Sequence, residues 1–170
     1  MLLIAAQERV KKVVVLVLVM WGLWVPLLQA QEKPAIVIRP FVMANGVSWP
    51  YDMQRMTQQT LAELQNKDGK KYDISSEVSP GKSRFYTLNG EVLQWHPGNR
   101  AERWAIGMGT GRETAKIHYW LTDPSGKKVF EHEDTIRAEF WGNEYADSVG
   151  QLAHPFADKI ATRLAQAKLE

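Results

Sequence analysis

Apolar residues recur along this chain at two spacings, and the spacings set out its elements. Met53, Met56, Thr57, Thr60, Leu61 and Leu64 fall three and four apart. That is one face of an amphipathic helix. Ser48 is placed as its N-cap, Pro50 in its first turn and Lys67-Asp68-Gly69 at its end. Val149, Leu152, Phe156, Ile160 and Leu164 repeat the pattern over 147–167, with Asp147 as the cap. Pro155 removes one N–H there and predicts a kink. Leu61, Leu64, Phe156 and Ile160 are the positions expected to be fully buried. Elsewhere the pattern is that of extended chain. Strands are expected over 35–43, 71–78, 85–95, 114–122 and 129–140. The first is mostly apolar and so interior, with Pro40 forced to its end or into a bulge. In the third, Tyr86, Leu88 and Val92 share a face and Gly90 breaks the row.

The order β-α-β-β-β-β-α implies an α+β domain, a mostly antiparallel five-stranded sheet with two helices on one face. Asp123-Pro124-Ser125-Gly126-Lys127 is a turn that folds the last two strands into a hairpin. Pairing Leu121 with Phe130 and Tyr119 with His132 gathers Ile117, Tyr119, Leu121, Phe130, Ile136 and Phe140 on one face. The same register sets His118 opposite Glu133 on the other face, as a solvated pair and not as a metal site.

The N-terminal pattern is different. Arg9, Lys11 and Lys12 precede an unbroken apolar run over 13–28, followed by the polar Gln29-Ala30-Gln31-Glu32. This is the layout of a secretory signal peptide, cleaved near Ala30, and the run is short of the ~20 residues of a spanning helix. Residues 31–170 are then a single domain. An uncleaved N-terminal anchor is the rival reading. The apolar start Met1-Leu2-Leu3-Ile4 does not suit an n-region, and translation from Val10 would remove it.

Charge follows from that division. The chain's formal +2 resides in residues 1–30, which hold Arg9, Lys11 and Lys12 against the single acid Glu8. The remainder is balanced. That argues against a nucleic-acid partner and against a strongly basic membrane-binding surface. There is no cysteine, which excludes disulfides, thiol nucleophiles and a lipid-modified cysteine anchor. The serines show no nucleophile elbow, and the histidines no ligand spacing. No catalytic residue, metal or cofactor is expected.

The most distinctive stretch is 98–112. Gly107, Gly109 and Gly111 alternate, which in extended chain leaves one face as bare backbone. Asn99, Arg100, Arg103, Trp104 and Arg112 surround them. Arginine beside tryptophan is the composition of an interface centre, and equally of a loop pinned by its own indole. Neither nucleotide-binding glycine pattern is present.

Gly98-Asn99-Arg100-Ala101-x-Arg103-Trp104-x-x-Gly107-x-Gly109-x-Gly111, followed by Leu121-x-Asp123-x-x-Gly126-Lys127, resembles the family called domain of unknown function 4410. The resemblance implies a bacterial envelope protein. More distantly, the element order resembles the fold of lipoprotein activators of cell-wall synthases, of curli-secretion proteins and of the N-terminal domain of the Tol-system propeller protein. The absent cysteine sets this chain apart from the lipoprotein members. The expectation is a non-enzymatic, periplasmic or otherwise exported module that docks an envelope protein by its sheet or by 98–112. The alternative is a periplasmic binder of a small anionic ligand through the same segment. Membrane contact is expected only through an uncleaved N-terminal segment.

Overall fold

The computed structural model describes residues 32–99, 111–139 and 148–169. The chain divides between Glu32 and Lys33, and every described element belongs to the part running from Lys33 to Glu170. In chain order these are β1 (Ala35–Ile38), β2 (Val42–Met43), α1 (Met53–Asp68), β3 (Asp73–Ser75), β4 (Tyr86–His96), β5 (Thr114–Thr122), β6 (Lys128–Arg137) and α2 (Ser148–Ala167). Among the described residues no helix is long and apolar enough to cross a membrane.

The sheet runs β3-β1-β4-β5-β6, with β2 paired to β4 beyond β1. The α+β class is as expected, with six strands in place of five, because the first expected strand breaks at 39–41. Pro40 has no N–H to give to a ladder. Arg39 N–H still reaches the Leu88 carbonyl at 2.9 Å. Phe41 N–H instead donates to the Thr57 hydroxyl of α1, also at 2.9 Å, and β2 then resumes on β4 with Val42 opposite Glu91. The long ladders, β4 with β5 and β5 with β6, are antiparallel. β1 is parallel to both β3 and β4, because α1 carries the chain back to the end from which β1 started and residues 76–85 carry it back again before β4.

The hairpin register is the expected one, with Leu121 opposite Phe130, Tyr119 opposite His132 and His118 opposite Glu133. Burial alternates along β5 and places Ala115, Ile117, Tyr119 and Leu121 inside. Gly90 leaves its gap in β4 to the Phe41 ring, which lies 2.8 Å from where a Cβ would stand. The Phe156 ring meets Phe41 and Tyr119 edge-on at 5.4 and 5.3 Å. Val149, Leu152, Phe156, Ile160 and Leu164 of α2 are all buried.

In α1, Met56 and Leu64 are fully buried. Leu61 is only half-buried against the core, a correction: at 100° per residue it lies at the edge of the Met56–Thr60–Leu64 stripe. The N-cap is also corrected. Asp52, not Ser48, caps the helix, its carboxylate accepting from Gln54 N–H at 2.8 Å. β3 is shorter than expected, but Tyr72 and Ile74 do share the buried face, and the Tyr72 hydroxyl donates to the Leu164 carbonyl at 3.2 Å. β6 ends at Arg137; Phe140 and Asp147 lie outside the described residues.

Pro155 sits inside α2. Lacking an N–H, it leaves the carbonyl of Gln151, four residues earlier, without its helical donor. Glu139 N–H takes that place at 3.1 Å, so the helix's missing bond secures the chain just past β6.

Candidate functional site at the base of the β4–β5 hairpin

A β-bulge creates this site. The register shifts between Val92 and Gln94. Up to Val92 the inward positions of β4 are Leu88, Gly90 and Val92. After the shift Trp95 stands opposite the buried Ala115 and so faces the helices. Bulges re-aim side chains in this way. The Trp95 indole N–H donates to Glu113 Oε1 at 2.5 Å, and the Tyr51 hydroxyl donates to Glu113 Oε2 at 2.9 Å. Trp49, Tyr51 and Trp95 meet one another edge-on, with centroids 5.4 to 6.4 Å apart. The Trp49 indole nitrogen is buried in this cluster without a hydrogen-bond partner. The Glu113 carbonyl accepts from Ala138 N–H at 2.8 Å. One glutamate thus ties together the chain before α1, the two hairpin strands and the end of β6.

The hairpin continues past its last ladder pair, His96 with Thr114. Asn99 N–H donates to the Gly111 carbonyl at 2.9 Å. Gly98 and Gly111 both adopt left-handed backbone, with φ of +73° and +68°. A Cβ on Gly98 would press on the Gly111 carbonyl oxygen and lie 2.8 Å from both Arg112 C and Glu113 N. Backbone crosses backbone there, and only glycine leaves room.

Of the residues singled out in the sequence, Asn99, Gly111 and Arg112 form this base. Arg100, Arg103, Trp104, Gly107 and Gly109 lie outside the described residues. The geometry therefore fixes the two ends of segment 100–110 side by side at one end of the sheet. Glu113 carried no sequence signal, since its partners converge only after the bulge turns Trp95 over.

On the opposite, open face, His118 Nε2 bonds Glu131 at 2.9 Å, diagonally from the expected partner. Glu133 instead pairs with Lys116 at 2.6 Å. The Lys128 ammonium first, and His118 second, hold the Glu131 carboxyl below the usual range, and Lys116 does the same for Glu133. These are exposed pairs of small energetic weight. Among the described residues no group of three His, Asp or Glu side chains is placed to hold a metal ion. On the inner face the Tyr119 hydroxyl donates to Asp134 at 2.7 Å. Burial, and then that bond, push its phenol well above the ordinary range.

The profile of the family described as "Domain of unknown function (DUF4410)" matches residues 50–138. The chain belongs to this family. The DUF4410 span opens just ahead of α1 and closes at Ala138, on the Glu113 carbonyl. It contains the whole hairpin, segment 98–112 and the Asp123 turn.

The comparison with curated proteins finds no match. Among solved structures, one described only as an uncharacterized protein aligns at 13% identity and a TM-score of 0.52, over 78% of this chain and 91% of that one. A dodecameric PelC variant from Paraburkholderia phytofirmans aligns at 15% identity and a TM-score of 0.51, over 78% and 89%. A DUF330 protein from Xanthomonas campestris aligns at 11% identity and a TM-score of 0.51, over 81% and 87%. At such identities the likeness is one of fold.

Proposed function

We propose that this DUF4410 protein is a non-enzymatic, exported envelope module that docks a partner protein through the end of its β4–β5 hairpin. The observation that carries the reading is the built base under segment 100–110. Left-handed glycines, the Asn99–Gly111 bond and the half-buried Glu113 clasp together hold that connection's ends side by side. A plain two-strand link needs none of them. The segment so held carries Arg100, Arg103 and Trp104, residue types that dominate interface energetics. The 13–28 apolar run with its basic flank supports export.

The test is a photo-crosslinking residue at position 104, introduced in living cells, with Arg100→Ala and Arg103→Ala made in the same background. The expected result is one discrete adduct that both substitutions weaken at least tenfold while thermal stability is unchanged. Adducts no different from those at exposed Lys70, on the far end of the domain, would overturn the proposal. A salt-sensitive rise in Tm with inorganic phosphate, lost in Arg103→Ala, would replace the protein partner with a small anion.

A further inference from the structure

The balanced charge of the chain conceals a polarity that only the fold makes visible. β1, β3 and β4 all start at one end of the sheet, where Ala35 pairs with Asp73 and Ile36 with Tyr86. The β5–β6 turn lies at that end, since Thr122 pairs with both Thr87 and Lys128. The last turns of both helices are there too. Lys33 Nζ donates to the Gly69 carbonyl just past α1 at 3.0 Å, and Tyr72 reaches Leu164 of α2. This is the end opposite the hairpin base.

The described acids of the folded domain at this end include Asp68, Asp73 and Asp123. Asp68 is buried and paired with Lys71 at 2.9 Å, and Asp73 is paired with Lys82 at 2.7 Å. The Asp123 carboxylate is taken up by the N–H groups of Ser125 and Lys127 and by the Ser125 hydroxyl. Beyond those pairs Lys70, Arg84, Lys127 and Lys168 stand exposed at the same end. Three come from different connections and Lys168 from the chain just past α2, so neither a helix stripe nor a run in the sequence announces them.

We propose that this basic end is a docking surface for an anionic phospholipid bilayer. Charge complementarity is one argument: several lysines and arginines held on one surface attract acidic headgroups, and the attraction fades within a Debye length of ~8 Å at physiological salt. Chain length is the other. The apolar run 13–28 stops roughly seven residues before β1 begins, a reach of no more than ~25 Å even fully extended. In a chain that keeps its N-terminal segment, that reach bounds how far the start of β1 can stand from a membrane holding the run. The inference concerns the opposite end of the domain from the proposed protein-docking site and stands independently of it.

The test titrates the full chain with vesicles of phosphatidylcholine alone and of phosphatidylcholine with 30% phosphatidylglycerol, at low and high salt. Partition constants are compared between variants that all keep Arg9, Lys11 and Lys12, so the contribution of the N-terminal segment is the same in each and the change made by each pair is read. At low salt the anionic vesicles are expected to bind at least tenfold more tightly, and high salt should abolish the preference. Lys70→Gln/Arg84→Gln and Lys127→Gln/Lys168→Gln should each reduce it severalfold, while Arg39→Gln/Arg137→Gln, which lies away from this end, should not. Two paired variants are used so that misfolding in one, seen by circular dichroism, leaves the other informative. Equal partitioning into both vesicles overturns the proposal, and so does a preference that survives both basic-end pairs. Complete displacement by heparin at matched charge would assign the surface to soluble polyanions instead of lipid.

Discussion

The α2 seam and the hairpin base are both well packed, yet they are built by opposite means. The seam is five apolar side chains at helical spacing, from Val149 to Leu164, pressed on the inner face of the sheet. Its stability is apolar burial, nondirectional and redundant. The hairpin base contains backbone in left-handed conformation, a carboxylate with two aromatic donors and a glycine over which no side chain fits. Its stability is directional, and each part depends on the others. A seam of the first kind holds a fold together. A base of the second kind fixes where one connection leaves the sheet, and such precision matters at a site more than in a core.

Substitutions separate the two. Phe156→Ala empties the centre of the seam, where the ring meets Phe41 and Tyr119. It is expected to cost about 3–5 kcal/mol in urea unfolding. A cost below ~1 kcal/mol would mean that the seam is not the core. Gly98→Ala, at φ +73° and against the backbone of 111–113, is expected to cost about 1–3 kcal/mol. It should also spread the amide resonances of Asn99, Gly111 and Arg112 while sparing those of α2. Equal disturbance at both places would erase the distinction drawn here.

Glu113→Gln keeps the shape of the clasp and removes its charge. The expected loss is about 1–2 kcal/mol, with the larger signal in near-ultraviolet circular dichroism as Trp49 and Trp95 reorient. The smallest effect is a pH dependence at the far hairpin turn. The Ser125 hydroxyl, followed by the backbone N–H groups of Lys127 and Ser125, holds the Asp123 carboxyl below its ordinary value. A carboxyl depressed in the folded state adds stability above its unfolded pKa, near 3.9, and loses it as pH falls through the lower folded value. Asp123→Asn should therefore flatten the stability curve on the acid side of pH 4, with slightly lower stability at pH 7 and convergence on the wild type as pH falls through the folded value. A difference from the wild type that is the same at pH 2 and pH 7 would contradict that assignment.

The same contrast explains what could be read before folding. The α2 stripe and the β5–β6 register are set by periods of 3.6 and 2, and periods are visible in a one-dimensional string. Gly90 was recognisable as a gap, though not that Phe41 fills it from across the Pro40 break. The N-cap went astray because Ser48 and Asp52 are both good capping residues. The choice falls to Asp52 because Trp49 and Tyr51 are committed to the aromatic cluster and hold the chain out of the helix. Glycine alternation singled out 98–112, of which the described residues 98, 99, 111 and 112 form the hairpin base. Its base was illegible, because a single bulged residue reverses which face Trp95 takes and no side chain signals the bulge. The basic end was illegible for a different reason, since net charge is a sum and carries no position.

The bond from Glu139 to the Gln151 carbonyl couples two events in time. The acceptor is open only because residue 155 is proline, and it becomes a fixed target only once the surrounding turn of α2 has wound. The chain leaving β6 therefore cannot lock until the helix has formed over it. Whatever lifts α2 from the sheet must first release that strand end. Exchange of the Glu139 amide proton is thus a clock for the opening of α2, read from a residue that does not belong to the helix.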